Sequence, residues 1–372
     1  MKKRLLPLAF ILLFLATSVS SVVLHPSLAR QAFVTIPYFD LFGPALEEFF
    51  QQAIPFQDFL GDLSRQLRII GGQKEFDNII LTEEGLVKNL VPSADTGIHK
   101  ANTKAIRKFA QTCNIPTHLM LVPTSCAIYQ EQLPGRLELY NQKRYIEETY
   151  RSLSGTVTTV DVYPALYNAR NDYLYYRSDS VLTSLGGYTV YQTLSKRLRL
   201  TPYQEYTMAR ASYDYYGELY RQWGHSGVKP DLITLYHNTS VKRSYRVYHW
   251  DRYENRTYYT LFPQSSTVSG SDLDVILGGH SPKIEITAIG APSQRLLVFG
   301  DRGTLSYLSF LVPHYSQITY IDLSLMTQWE IEELSLDGYD QVLFSYDLES
   351  YLNTVAPSRV SSISIPDALS VK

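Results

Sequence analysis

The run Leu296-Leu297-Val298-Phe299-Gly300-Asp301-Arg302-Gly303-Thr304 reads as a buried strand that enters a tight turn and then a helix. An unbroken apolar strand of this kind is covered on both faces, which is the situation inside a parallel sheet flanked by helices. Many α/β hydrolytic enzymes mount a nucleophilic serine on such a turn, as Gly-Asp-Ser ahead of a helix whose N-terminal amides help hold an oxyanion. The third position here is Arg302. A guanidinium stays protonated and has no lone pair to offer, so it cannot act as a nucleophile. The stretch therefore combines an enzyme's architecture with a residue that excludes its usual chemistry.

The same alternation runs through most of the chain. Helical patterns at residues 103–112, 142–153 and 183–198 alternate with strand patterns at 117–122 and 157–162. After an interruption, strands at 296–299, 318–321 and 341–346 alternate with a helix at 305–312 and a helical turn near Trp329. Strand–helix alternation predicts an α/β fold with a doubly wound, mostly parallel sheet. Between residues 213 and 275 short β-like segments dominate, among them 245–250 and 258–262, which predicts a β-rich insertion. The α/β domain is then expected over 101–355, followed by a C-terminal tail at 356–372. Ahead of it, residues 25–100 read as a helical segment ending at Gly71-Gly72, then a hairpin of Ile79-Ile80-Leu81 and Leu86-Val87 around Glu84-Gly85.

Lys2-Lys3-Arg4 precedes an uncharged run from Leu5 to Leu24. About 20 apolar residues suffice to cross a bilayer, and the cations would stay inside. The expectation is a cytoplasmic tail at 1–4, a transmembrane anchor at 5–24 and the remainder outside the cell membrane. A cleaved signal is the alternative, since Ser18-Val19-Ser20 offers a small-x-small site. Either way the protein is exported. Apolar content of 45% and charged content of 19% are those of a folded chain. With a formal charge of −2 and no basic patch beyond the first residues, nothing supports nucleic-acid binding.

Cys113 and Cys126 are the only cysteines. Between them lies a strand-like run about 20 Å long at ~3.3 Å per residue, against the ~7 Å Cα separation a disulfide tolerates. Free thiols are expected, and neither metal-ligand spacing nor a cofactor motif is present. Thirty tyrosines invite two readings: half-buried packing, or flat amphipathic surface for sugars and polymers.

Several stretches in order carry a more specific likeness. They are Pro55-Phe56-Gln57-Asp58, the hairpin with Gly85, Leu121-Val122-Pro123-Thr124, Tyr175-Tyr176-Arg177-Ser178-Asp179 and Thr183-Ser184-Leu185-Gly186-Gly187-Tyr188. Leu277-Gly278-Gly279, Gly300-Asp301, Pro313-His314-Tyr315 and Asp340-Gln341-Val342-Leu343-Phe344 follow. Over roughly 36–355 the chain resembles the bacterial DHHW family, membrane-anchored relatives of the SGNH hydrolases and of the alginate O-acetylation proteins. The resemblance implies an SGNH-hydrolase-like fold and a Ser-His-Asp triad. Where the family reads Asp-His-His-Trp, this chain reads Asp179-Ser180-Val181-Leu182. Asp179 matches the acid, but the base histidine falls on Val181. The family's Gly-Gly-Asn-His-Pro becomes Gly278-Gly279-His280-Ser281-Pro282, which puts His280 in place of an oxyanion-supporting Asn, and the nucleophile falls on Arg302.

A serine hydroxyl needs a base to take its proton, and valine accepts none. Losing base and nucleophile implies a pseudoenzyme, with Asp301 reading as a helix cap and Arg302 reaching Asp179 to close the old cleft. The resemblance further implies an accessory or binding protein linked to acylation of cell-surface polysaccharide, beside a membrane-bound O-acyltransferase or an intact paralogue. Asp179, His280, Arg302, Tyr173, Tyr175 and Tyr176 are the binding candidates. The alternatives are an active O-acetyltransferase or acyl esterase using rearranged residues such as His280 with Thr304 or Ser281, and a structural subunit pairing through 245–262.

Overall fold

The computed structural model describes residues 74–133, 137–223, 227–264 and 271–365. The anchor expected at 5–24 and the segment from 25 to 73 lie outside them. Among the described residues no helix is long and apolar enough to cross a membrane.

Three short strands, β1 (Glu75–Phe76), β2 (Ile79–Leu81) and β3 (Leu86–Lys88), form an antiparallel meander with Ile80 opposite Val87. The chain continues through α1 (Gly97–Thr112), β4 (Thr117–Val122), α2 (Ser125–Ile128), α3 (Gln142–Ser152), β5 (Thr158–Val160), α4 (Tyr163–Asn168) and α5 (Ser184–Arg197). A ribbon of β6 (Tyr206–Tyr215) and β7 (Asp231–Asn238) encloses α6 (Glu218–Trp223). Then come β8 (Ser244–Trp250), β9 (Arg256–Tyr258), β10 (Lys283–Ile289), β11 (Arg295–Gly300), α7 (Leu305–Leu311), β12 (Gln317–Ile321), α8 (Gln328–Glu332), β13 (Gln341–Asp347) and α9 (Leu348–Asn353).

Eight strands make one sheet in the order β5-β4-β13-β11-β12-β10-β8-β9. The five from β5 to β12 run parallel, and β10, β8 and β9 extend the sheet antiparallel. Burial follows this division. Every residue of β4 is buried, whereas β10 alternates buried and half-buried positions. A strand with helices on both faces must be apolar throughout; an outer antiparallel strand needs only one apolar face.

The stretch expected to be β-rich, 213–275, holds the end of β6 together with β7, β8 and β9. β8 and β9 belong to the main sheet, because β8 hydrogen-bonds along the whole length of β10. Only β6 and β7 stand apart. The strand expected at 258–262 ends at Tyr258, where it loses its register with Val247. Nor do residues 356–362 hang free as a tail: Val360 is buried within the main core.

Many of the tyrosines are core residues. Tyr191, Tyr307, Tyr315, Tyr320, Tyr346 and Tyr351 are fully buried. Tyr188, Tyr206, Tyr236 and Phe310 form a cluster that fastens the β6–β7 ribbon to α5 and α7, with ring centroids 5.4–6.1 Å apart. Edge and offset ring contacts at such distances add to the gain from burying the rings. α5 approaches α7 so closely that a Cβ on Gly187 would lie 2.2 Å from the Ser306 carbonyl oxygen. Gly187→Ala raises helix propensity, yet it must push the helices apart. Urea unfolding should show a net destabilisation of about 1–3 kcal/mol, as in other overpacked cores.

Candidate functional site

β4 and β11 finish at the same edge of the sheet on either side of β13. From there the chain leaves β4 toward β5 and β11 toward β12, in opposite directions, and such a divergence opens a crevice at the carboxyl ends of the strands. The turn after β11 carries Asp301 and Arg302 into it. Asp301 is not the expected helix cap, for its side chain bonds no amide of the following turn. Its Oδ2 instead accepts the Asp347 backbone N–H at 2.6 Å, because β13 ends directly alongside. Asp347 caps α9 through Ser350 N–H at 2.7 Å. Burial pushes the Asp301 carboxyl well above the usual carboxylate range, and the neighbouring Asp347 carboxylate adds to the shift.

The second wall is the segment 173–182, closed by an antiparallel bridge between Tyr175 and Leu182. Two fully buried carboxylates fix it. Asp231, at the start of β7, accepts from the backbone N–H groups of Arg177 and Ser178 at 2.9 Å each, and from the hydroxyls of Tyr173 and Ser178. Asp179 accepts from Ser180 N–H at 2.7 Å, Glu218 N–H at 3.3 Å and the Tyr215 hydroxyl. Arg302 completes this set, with Nη2 3.1 Å from Asp179 Oδ2 and Nη1 3.7 Å from Glu218 Oε2. Burial alone would weaken the Arg302 charge, but Asp179 and the Tyr215 hydroxyl together offset it and hold the guanidinium above its ordinary range. The sequence expectation that Arg302 reaches Asp179 therefore describes the geometry found.

The third wall is the turn after Ile276. Leu277, Gly278 and Gly279 take left-handed φ of 58°, 85° and 93°, a conformation that glycine adopts without steric cost. His280 follows, with Nε2 3.0 Å from Asp322 Oδ2 and 3.1 Å from the Tyr320 hydroxyl. Neither expected nucleophile partners it. Thr304 is fully buried and its hydroxyl donates to the Ser345 carbonyl at 2.9 Å. The Ser281 hydroxyl faces His249, 2.8 Å from Nδ1, while His249 Nε2 lies 2.7 Å from the Leu277 carbonyl. Nε2 must therefore carry the proton, leaving Nδ1 to accept from Ser281.

Val181, His280, Arg302, Gly279, Asp274 and Ser306 line one cavity of about 30 Å³. Of the five positions singled out in the sequence, Val181, His280 and Arg302 line this cavity, Asp179 adjoins it through Arg302, and Asp301 does not line it; the volume is that of an ordered water. The three tyrosines proposed as a sugar surface do not line that cavity; Tyr173, Tyr175 and Tyr176 come together around a different one, of about 300 Å³. Tyr175 and Tyr176 are buried; the Tyr175 hydroxyl donates to the Pro123 carbonyl at 2.6 Å, and Tyr173 is engaged by Asp231. Asp179 is wholly buried against Arg302, whose own side chain stays 32% exposed at the cavity.

Sequence reasoning missed Asp231, Tyr215, His249 and Asp322. His249 carried a readable signal, since it shares the inward face of β8 with Val247 and an imidazole there must find partners. Asp231 gave none, because its partners lie more than fifty residues earlier in the chain.

Residues 87–244 match the family described as ALGX, the SGNH hydrolase-like domain of acetyltransferase AlgX. That stretch includes Asp179 and Val181 but ends before His280 and Arg302. No curated protein matches the chain. Among solved structures, a DHHW family protein from Eubacterium siraeum DSM 15702 aligns at 17% identity with a TM-score of 0.61, covering 78% of this chain and 98% of that one. Bacillus cereus PatB1 aligns at 15% identity with a TM-score of 0.59, covering 74% and 98%. At such identities the likeness is one of fold.

Two measurements test this geometry. Arg302→Met keeps the apolar stem and strips Asp179 of its counter-ion. It should cost about 2 kcal/mol in urea unfolding, part of it recovered when Asp179→Asn is added. Burial depresses the His249 pKa from 6.5 to about 4. The unfolded chain takes up the proton first, so the stability due to this neutral ring is lost as pH falls from 6.5 toward 4. Nitrogen NMR should find the Nε2–H tautomer throughout that interval; titration near 6.5 would contradict the arrangement.

Proposed function

We propose, for a chain that carries an SGNH hydrolase-like domain of the acetyltransferase AlgX kind and shares the fold of DHHW family proteins, that it is a catalytically inactive member of that group. In this reading it is an exported, membrane-anchored accessory or binding protein in the acylation of cell-surface polysaccharide. The observation that carries it is the Arg302–Asp179 ion pair. The charge that would orient a catalytic histidine is spent on a guanidinium, and the adjoining cavity has only about 30 Å³. Val181 supplies no base, so a hydroxyl at position 302 would still lack a proton acceptor. Loss of base and nucleophile together corresponds to a rate decrease of roughly 10⁴ or more, over ~5 kcal/mol of transition-state stabilisation.

One observation favours an enzyme instead. His280 is paired with Asp322 and lines the same cavity as Ser306, so an imidazole, a carboxylate and a hydroxyl occur together. Purified protein incubated with p-nitrophenyl acetate and with acetylated polysaccharide decides between the two readings. We expect release no faster than the uncatalysed blank, and no gain from Arg302→Ser alone. Turnover that disappears in His280→Ala or Ser306→Ala would establish the esterase or transferase reading. The binding half of the proposal is checked by co-sedimentation with wall and exopolysaccharide fractions; recovery of the protein in the pellet is expected.

A further inference from the structure

A second cavity, of about 300 Å³, opens between the turn joining β2 to β3 and the segment 170–177, and shares no lining residue with the one beside Arg302. Its volume is at the lower end of small-molecule sites. Tyr129 and Tyr173 give it aromatic walls, and Gln132, Asn171, Asp172 and Ser125 border it. No side-chain hydrogen bond joins these last four to any described residue, although Ser125 is only 5% exposed. Gln132, Asn171 and Asp172 are exposed, so their donors and acceptors stand at the open side of the space, free to turn to a ligand.

The charges at the rim limit what the space can hold. Arg170 is committed to Glu131 at 3.3 Å and to the Tyr167 carbonyl, while Arg177 stacks on Tyr173 at 4.6 Å with Glu84 3.9 Å away. Two arginines stand against Glu84 and Asp172, so a phosphate or carboxylate ligand would meet as much repulsion as attraction. An apolar ligand would bury Asp172 and the two amides without partners, which is costly. A polyol suits the lining, because each hydroxyl both donates and accepts, and the C–H face of a pyranose ring packs on tyrosine. We propose that this cavity binds an uncharged mono- or disaccharide unit of a glycan. The proposal deepens the accessory-protein reading, on which it rests, by assigning the sugar to a place away from the degenerate catalytic positions.

The test uses the folded protein with glucose, N-acetylglucosamine, cellobiose and chitobiose as probes, and glucuronate and inorganic phosphate as charged comparators. Binding is followed by saturation-transfer NMR and calorimetry. Asn171→Ala and Asp172→Ala alter exposed side chains, so circular dichroism should show both variants folded. At least one neutral sugar should bind, and either variant should weaken it tenfold or more, while Tyr253→Ala on an exposed turn leaves it unchanged. Three results would overturn the assignment: tighter binding of glucuronate or phosphate, neutral-sugar binding indifferent to both variants, or no sugar binding while intact polysaccharide still pulls the protein down. This last result would spare the accessory reading. Absence of both sugar and polymer binding would remove the two together.

Discussion

Two carboxylates without exposed surface, Asp179 and Asp231, hold the segment 173–182 against the carboxyl edge of the sheet. Each is compensated by several donors, the condition under which a buried charge is tolerable at all. For Asp231 they come from the segment itself, so this carboxylate ties the start of β7 to backbone more than fifty residues earlier. For Asp179 one comes from the neighbouring Ser180 and the others from three separate pieces of chain: the end of β6, the start of α6 and the turn after β11. Removing one donor set leaves a charge that the remaining structure has to rearrange to satisfy. The placement of the whole crevice follows from these two residues.

Arg302 then has a structural explanation of its own. A guanidinium on the β11 turn reaches Asp179 with two nitrogens and still touches Glu218, a geometry that suits its planar fork and that a lysine could not reproduce. Arg302 thereby joins the turn after β11 to the segment 173–182 and to the start of α6. His280 is tied in a comparable way to Asp322 and Tyr320 at the end of β12, and Ser281 to His249. The crevice is lined by polar groups that mostly answer one another, whereas the larger cavity near Asn171 combines paired arginines with four side chains that bond no described residue.

Much of the sheet was legible because parallel strands are apolar on both faces. Residues 117–122, 296–299, 318–321 and 341–346 all coincide with observed strands, and the helices at 142–152 and 184–197 begin at Asn141 and Thr183, whose side chains cap them. Reading failed where partners lie far along the chain. Nothing local tells β8 that it will pair with β10 rather than fold as a separate unit, and nothing in Tyr175 or Tyr176 says that their rings face inward. Tyrosine is amphipathic and serves both surfaces and cores, so a count of thirty could not decide between them.

By itself the sequence determined the α/β alternation, the separate thiols and the absence of a hydroxyl and an imidazole at positions 302 and 181, because these depend on residue identity and on local periodicity. Only the tertiary structure decided that Asp301 supports β13 rather than a helix end, that Asp231 anchors the wall segment, and that a second cavity, of about 300 Å³, lies apart from the one beside Arg302. Hydrogen bonds and charges act over a few ångströms, and only the folded chain brings such distant residues within that range.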